Sequence, residues 1–253
     1  MNEQKWPDTL WLVRHGQSAG NVARDAAEAA LLKEIEIAER DMDVPLSDLG
    51  RRQACALGAW LGALPADQQP QVVLCSPYLR AVQSAELIGA TAKLDIALIL
   101  DERLREKEFG ITDRLTRAGI QARFPELAEQ RAHVGKFYFR PPGGESWCDV
   151  ILRLRSLVDT LTREYRQERV LIVAHQVIVN CFRYLLERLD EREILDIDRR
   201  GDVPNCSVTR YRFDPTAGHH GKLVLEVANF VAPMQETGTP ITREPDAPVA
   251  AKP

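Results

Sequence analysis

A chain of 253 residues with 45% hydrophobic and 28% charged residues has the make-up of an ordinary soluble protein, one α/β domain with additions. Its 33 basic and 37 acidic residues leave a net charge of −4, which gives no electrostatic footprint for nucleic acid or an anionic membrane. No apolar run is long enough to span a bilayer, and the first nine residues lack the apolar core of a signal peptide. Five scattered cysteines, Cys55, Cys75, Cys148, Cys181 and Cys206, are the usage of a reducing compartment, so a cytoplasmic location is expected.

The first element is Leu10–Val13, an apolar run that ends abruptly in Arg14-His15-Gly16, with Ser18 and Asn21 close behind. As a buried strand it puts Arg14 and His15 at its C-terminal edge, where parallel sheets place ligands. Ala23–Arg40, rich in Ala, Glu, Leu and Lys, is expected to be an inserted helix. Ser47 then caps a helix with Ala54, Leu57, Leu61 and Leu64 at helical spacing, and Pro65 stops it. Gln71–Cys75 is the second strand, with Cys75 a buried free thiol. Ser76 is expected to cap the next helix, with Pro77 in its first turn and Arg80 close to the same sheet edge.

Ile96–Leu100 is a third strand, followed by a charged run from Asp101 to Gly110. Phe109–Arg140 mixes charges with Phe124, Phe137, Tyr138 and Phe139, too irregular for a core strand and too aromatic for a solvated linker. A turn at Gly143-Gly144-Glu145-Ser146 opens an amphipathic helix over Glu145–Tyr165. Val170–Ala174 repeats the pattern of the first strand and ends in His175-Gln176, which opens a helix to Leu189. Ser207–Phe213 and Leu223–Val231 are the last strands, joined by a solvated turn that holds His219-His220. No Cys or carboxylate cluster accompanies those histidines, so no metal site is expected. The proline-rich stretch from Pro233 onward is expected to be disordered. The strand–helix alternation is that of a layered α/β fold. The expected domain covers residues 1–232, with lid segments at about 23–40 and 109–140 and a tail at 233–253.

Two strands that each deliver a histidine to one sheet edge, with an arginine beside the first, make a site for phosphate. Phosphoryl transfer to imidazole needs a neutral ring nitrogen in line with the leaving oxygen and positive charge around the three equatorial oxygens. His15 is the candidate nucleophile. A cation ~4 Å away interacts by about 4 kcal/mol at an effective dielectric of ~20, which favours the neutral ring. Arg80 can clamp phosphate in bidentate fashion, and His175 with the helix-terminal N–H of Gln176 can hold the same group. The proton donor for the leaving oxygen has three candidates in the charged run, Glu102, Glu106 and Glu108.

The spacing Arg14-His15-Gly16-x-Ser18-x-x-Asn21 resembles the signature of the histidine phosphatase superfamily, the phosphoglycerate-mutase-like enzymes. The stretch Ser76-x-x-x-Arg80-Ala81-x-x-Ser84-Ala85 resembles the second-arginine motif of that family, and Glu106, four residues before Gly110, fits its acid motif. The resemblance runs from Thr9 to Phe230. It implies a three-layer α/β/α sandwich with a mostly parallel sheet. It also implies a metal-independent phosphomonoester hydrolase, working through a phosphohistidine without organic cofactor. His15, Glu106 and His175 would be catalytic, and Arg14, Ser18, Asn21, Arg80 and Gln176 would bind phosphate. The implied partners are a small phosphomonoester and inorganic phosphate, not nucleic acid or membrane.

Gln176 departs from the Gly common at that place, although fructose-2,6-bisphosphatase domains carry a similar His-Gln step. A mutase is the alternative within the family. Mutases carry Glu-Arg-His-Tyr-Gly where this chain has Glu106-Lys107-Glu108-Phe109-Gly110, which favours the hydrolase. The alternative from another class, a non-catalytic phospholigand-binding module, is set against the intact set of His15, Arg80, Glu106 and His175.

Overall fold

A computed structural model describes residues 4–243. In chain order the elements are β1 (Thr9–Arg14), α1 (Ala19–Ala29), α2 (Asp48–Gly62), β2 (Val72–Cys75), α3 (Leu79–Ala92) and β3 (Leu98–Leu100). Next come α4 (Arg117–Arg123), α5 (Pro125–Val134), α6 (Trp147–Glu164), β4 (Arg169–Ala174) and α7 (Gln176–Glu187). The last are α8 (Glu191–Arg200), β5 (Val208–Asp214), β6 (Lys222–Phe230) and α9 (Ala232–Glu236).

The six strands make one sheet in the order β3-β2-β4-β1-β5-β6. β3, β2, β4 and β1 are parallel, and β5 and β6 close one edge antiparallel. The two central strands, β4 and β1, are apolar between their end residues because both their faces are covered. With a side-chain period of two, Leu10, Leu12, Val170 and Ile172 face α6 and α7, where Leu154, Leu157, Ile178 and Phe182 meet them. Trp11, Val13, Leu171 and Val173 face the opposite way, onto Leu57, Leu61 and Ile88 of α2 and α3. This is the three-layer α/β/α sandwich expected from the sequence.

The helix starts follow their caps. Ser18 and Asn21 form a capping box at α1, Ser47 accepts from Gly50 N at α2, and Ser146 and Asp149 form a second box at α6. Those contacts explain one difference from expectation. The helix expected over Ala23–Arg40 begins at Ala19, where Ser18 caps it, and ends at Ala29. Leu31 then has a positive φ of 54°, and residues 31–40 run as irregular chain. That chain pairs with the second insert: Ile35 N donates to Arg114 O at 2.8 Å and Thr116 N to Lys33 O at 3.1 Å. Phe109–Arg140 contains α4, capped by Thr116, and α5, and it buries Phe137 and Phe139. The third strand is also shorter than expected, Leu98–Leu100.

Two further expectations are corrected. Ser76 does not cap α3, which begins at Leu79 with Tyr78 at the cap position and no side-chain cap bond. A residue before proline is pushed towards extended backbone, so Ser76 continues the strand direction and the helix starts later. Nor is the tail disordered from Pro233 onward. α9 buries Met234 completely against the α2 and α3 side of the sheet, and Asn205 N donates to Thr242 O at 3.0 Å. The rest of the expected tail, residues 244–253, lies outside the described residues.

This terminal segment is tied to the site by buried side chains. Gln53 Nε2 donates to Pro240 O and Thr242 Oγ1, each at 2.9 Å, while its Oε1 accepts from Gln17 N. Thr242 Oγ1 donates to Asn205 Oδ1 at 2.9 Å, and Asn205 Nδ2 donates to His15 O at 3.0 Å. Thr242→Val keeps the shape and removes the hydroxyl, leaving Asn205 Oδ1 without that donor. Unfolding in urea should show a loss of about 1–3 kcal/mol; an unchanged midpoint would mean that the segment is not held this way in solution.

Candidate active site

The parallel register of β1 on β4 runs from Thr9↔Arg169 to Arg14↔Ala174, so His15 and His175 leave the sheet side by side. Their rings meet edge to face with centroids 5.1 Å apart. Both side chains are fully buried. The turn after β1 lies directly on the start of α2. A Cβ on Gly16 would meet Gly50 O at 2.5 Å, and one on Gly50 would overlap the Gln17 carbonyl oxygen. Glycine is needed on both sides of that approach.

His15 Nδ1 lies 2.6 Å from Gly16 O. A carbonyl oxygen only accepts, so Nδ1 carries the proton and Nε2 presents its lone pair. Arg80 Nε donates to that Nε2 at 3.3 Å. The Arg80 main chain is fixed in turn by Ser84: its hydroxyl donates to Arg80 O at 2.7 Å and accepts from Gly16 N at 3.0 Å. Arg14 is buried and its Nη1 donates to Val203 O at 2.6 Å.

Asp41 lies on the outer side of Arg80. Its Oδ1 is 3.0 Å from Arg80 Nη1, which also donates to the Asp41 main-chain oxygen at 2.5 Å. Beside this pair a pocket is lined by Ser18, Asn21, Arg24, Asp41, Asp113 and Arg114. Ser18 and Asn21 bond to each other there, with Ser18 N donating to Asn21 Oδ1 at 2.9 Å. Burial, with Asp41 nearby, raises the Asp113 carboxyl above its ordinary range.

His175 is held by two residues that come just before Arg80. Its Nε2 is 2.8 Å from Ser76 Oγ, and its ring meets that of Tyr78 edge to face at 5.2 Å. The Arg80 guanidinium sits 5.0 Å from the centroid of the same Tyr78 ring. The Tyr78 hydroxyl donates to Glu108 Oε1 at 2.9 Å. Burial, and then the charge of Glu108, raises the phenol well above its usual value. Gln176 opens α7, and its side chain donates to Asp202 Oδ1 at 2.8 Å.

The strap after β3 carries the three glutamates. Glu102 and Glu108 are exposed, whereas Glu106 is fully buried and accepts from Lys107 N at 2.8 Å. Glu145, from the Gly-Glu-Ser turn, braces the strap: Oε1 accepts from Arg105 at 2.9 Å and from Arg153 at 3.0 Å, and Oε2 from Glu108 N at 3.1 Å. Burial opposes the charge on Glu145, yet Arg153 and Arg105 hold its carboxyl below the usual range. Arg153 also donates to the main-chain oxygens of Arg103 and Glu106. Ser146 caps α6, so this turn serves as scaffold.

The structure therefore brings His15, Arg80 and His175 into one contact group, with Arg14 next in the chain. Ser18 and Asn21 lie on the neighbouring pocket wall, and Glu106 on a strap bonded to Tyr78. Sequence reasoning missed Arg24, Asp41, Ser76 as a partner of His175, and Tyr78. It also missed three cations, Lys107, Arg131 and Lys136. Arg24 had a signal, since it follows Asn21 by three on the helix that Ser18 caps. The cations had none, because Arg131 and Lys136 come near Lys107 only in the fold. Lys107 is buried over the Phe109 ring, and burial, despite the nearby Glu106 charge, lowers its pKa to about 8. Burial also lowers Arg131, which makes no ion pair among the described residues. Lys136 pairs with Asp198 at 2.5 Å.

Among the described residues, no group of three or more His, Cys, Asp or Glu side chains could hold a metal ion. No helix among them is long and apolar enough to cross a membrane.

A family model of the histidine phosphatase superfamily, branch 1, matches residues 10–224. A 6-phosphofructo-2-kinase/fructose-2,6-bisphosphatase of Caenorhabditis elegans is 31% identical over 227 residues, which are 86% of this chain and 44% of that protein. The chain thus spans less than half the length of that relative. A 2,3-bisphosphoglycerate-dependent phosphoglycerate mutase of Sinorhizobium fredii is 29% identical, over 78% of this chain and 87% of the mutase. Among solved structures, a mycobacterial glucosyl-3-phosphoglycerate phosphatase in complex with VO3 superposes with a TM-score of 0.68 at 27% identity, covering 88% of this chain and 99% of that one. With the sheet order, the paired histidines and a match across most of its length, the chain belongs to the histidine phosphatase superfamily, branch 1.

Proposed function

We propose that this chain hydrolyses a phosphomonoester in two steps, with His15 as the phosphoryl acceptor. One observation carries the reading: His15 Nδ1 is turned onto Gly16 O, so Nε2 points its lone pair at Arg80. In the first step Nε2 attacks phosphorus, the P–O bond to the leaving group breaks, and Glu106 gives its proton to the departing oxygen. In the second, water attacks the phosphohistidine, Glu106 takes its proton, and the P–N bond breaks to release inorganic phosphate. Arg14, Arg80 and His175, with Ser18, Asn21 and the N–H of Gln176, hold the phosphoryl oxygens as charge shifts between them. The burial of Glu106, against the exposure of Glu102 and Glu108, supports it as the proton carrier.

Phosphate has to displace Asp41 from Arg80, and the inserts at 23–40 and 109–140 act as a lid that the substrate meets first. Lys107, Arg131 and Lys136 support a substrate with a second anionic group. Fructose-2,6-bisphosphatase and glucosyl-3-phosphoglycerate phosphatase are names that denote such substrates. The location is read as cytoplasmic, from five cysteines that are all free thiols.

Rapid acid-free quenching with a substrate labelled at phosphorus should trap label on His15 in an acid-labile, alkali-stable bond, and His15→Ala should give none. Label on a serine or cysteine would overturn the mechanism. A second outcome concerns the acid. Glu106→Gln should slow an alkyl phosphate by ~10²-fold or more, while the phosphorylation burst with an aryl phosphate, whose leaving group needs little protonation, should fall far less. Equal losses on both substrates would remove Glu106 from the role of proton donor.

The third outcome follows from Lys107, whose pKa of about 8 lies below its ordinary 10.5. Its charge is lost as pH rises through about 8. In that range kcat/KM should fall more for a phosphomonoester with a second anionic group than for one without, and Lys107→Met should abolish that difference. The stability effect has the opposite sign. Between about 8 and 10.5 the unfolded chain binds more protons at this residue, so folded stability from this group rises with pH. A pH profile identical for the two substrates would exclude Lys107 from binding.

A further inference from the structure

The end of the sheet away from the histidines carries a second cleft, of about 210 Å³, where β1 and β4 begin and β5 ends. Thr9, Trp11, Arg169, Arg210, Arg212 and Glu226 line it. The register explains the grouping: Thr9 pairs with Arg169 on one side and Arg212 on the other, and Trp11 pairs with Arg210. Along β1 the lining residues Trp11 and Thr9 are four and six positions from His15, about 13–20 Å of extended chain.

Among the described residues, two groups of the lining stand out, a buried donor without an acceptor and a guanidinium without an ion pair. Trp11 is 2% exposed, and its Nε1–H is buried without an acceptor. A buried indole N–H ordinarily finds one. Arg169 is half-buried and gives its Nε to Gln69 O at 2.6 Å, yet among the described residues it makes no ion pair. Glu226 is 2.6 Å from Arg210 but 3.7 Å from Arg212. Asp8 and Asp67 also border the cleft, and neither lies in ion-pair range of its arginines. A half-buried guanidinium without an ion pair and a buried indole donor without an acceptor call for an oxygen-rich anion.

We propose that this cleft binds a small anion with at least two charged oxygens, a carboxylate or a phosphate. One oxygen accepts from Trp11 Nε1, and others engage Arg169 and Arg212. The site is separate from the catalytic edge and does not depend on the hydrolase reading.

The test uses the indole resonances of the 15N-labelled full chain, which has four tryptophans. Trp11→Phe identifies the resonance of Trp11. Malonate and inorganic phosphate are titrated separately, so the two arms distinguish a carboxylate ligand from a phosphate ligand. Either anion should shift the Trp11 resonance saturably, and Arg169→Gln should weaken that titration about tenfold or more, equivalent to about 1.4 kcal/mol. Arg80→Ala removes a cation of the catalytic edge and should leave the Trp11 titration unchanged. The other three indole resonances report whether each variant is folded, and Arg212→Gln replaces Arg169→Gln if that variant is not. A Trp11 resonance that neither anion moves, or that titrates alike in wild type and the arginine variants, overturns the proposal. So does a titration lost in Arg80→Ala, since the anion would then be acting from the catalytic edge.

Discussion

Parallel pairing of β1 with β4 is the constraint on which the site depends. It sets two strand ends level, so that the residues just beyond them, His15 and His175, share one place at the sheet edge. A slip of one residue would exchange the two faces of a strand and send its core side chains into the wrong layer. The register is therefore enforced along the strand length by Leu10, Leu12, Trp11 and Val13 and their partners, far from any chemistry. The histidines inherit their placement from hydrophobic packing.

Around that pair the structure solves a problem of buried charge. Arg14 and Arg80 are both nearly or fully buried, where an unpaired ion costs several kcal/mol. The protein answers with fixed partners of its own, Val203 O for Arg14 and Asp41 for Arg80. Asp41 is the partner on the solvent side, with its side chain 38% exposed.

The strap and the turn that braces it show how distant segments are made into one wall. Glu145 reaches from the start of α6 to bond Arg105, Arg153 and Glu108 N, while Glu108 itself accepts from Tyr78. Tyr78 then touches both His175 and Arg80. Precision in such a site comes from neighbours whose own positions are locked. Rigid scaffolding of this kind explains why Glu145 is buried in an ion-pair network and is not presented to the pocket.

By itself the sequence determined the strands, the capped helices, the layered class and the motif residues His15, Arg80, Glu106 and His175. These features are local: an apolar run, a cap or a motif spacing is written in consecutive residues. The resemblance singled out Glu106 from its two neighbours; in the fold Glu106 is buried, whereas Glu102 and Glu108 are exposed. Only the tertiary structure decided what depends on meetings between distant segments. Ser76 faces His175 across 99 positions and not the helix it was expected to cap. The two inserts pair with each other through Ile35, Lys33, Arg114 and Thr116. Residues 233–243 look disordered by composition, yet they pack because α2 and Asn205 offer them an apolar face and unpaired polar groups. Composition reports what a segment can bury alone; it is silent about the surface that the rest of the chain holds out to it.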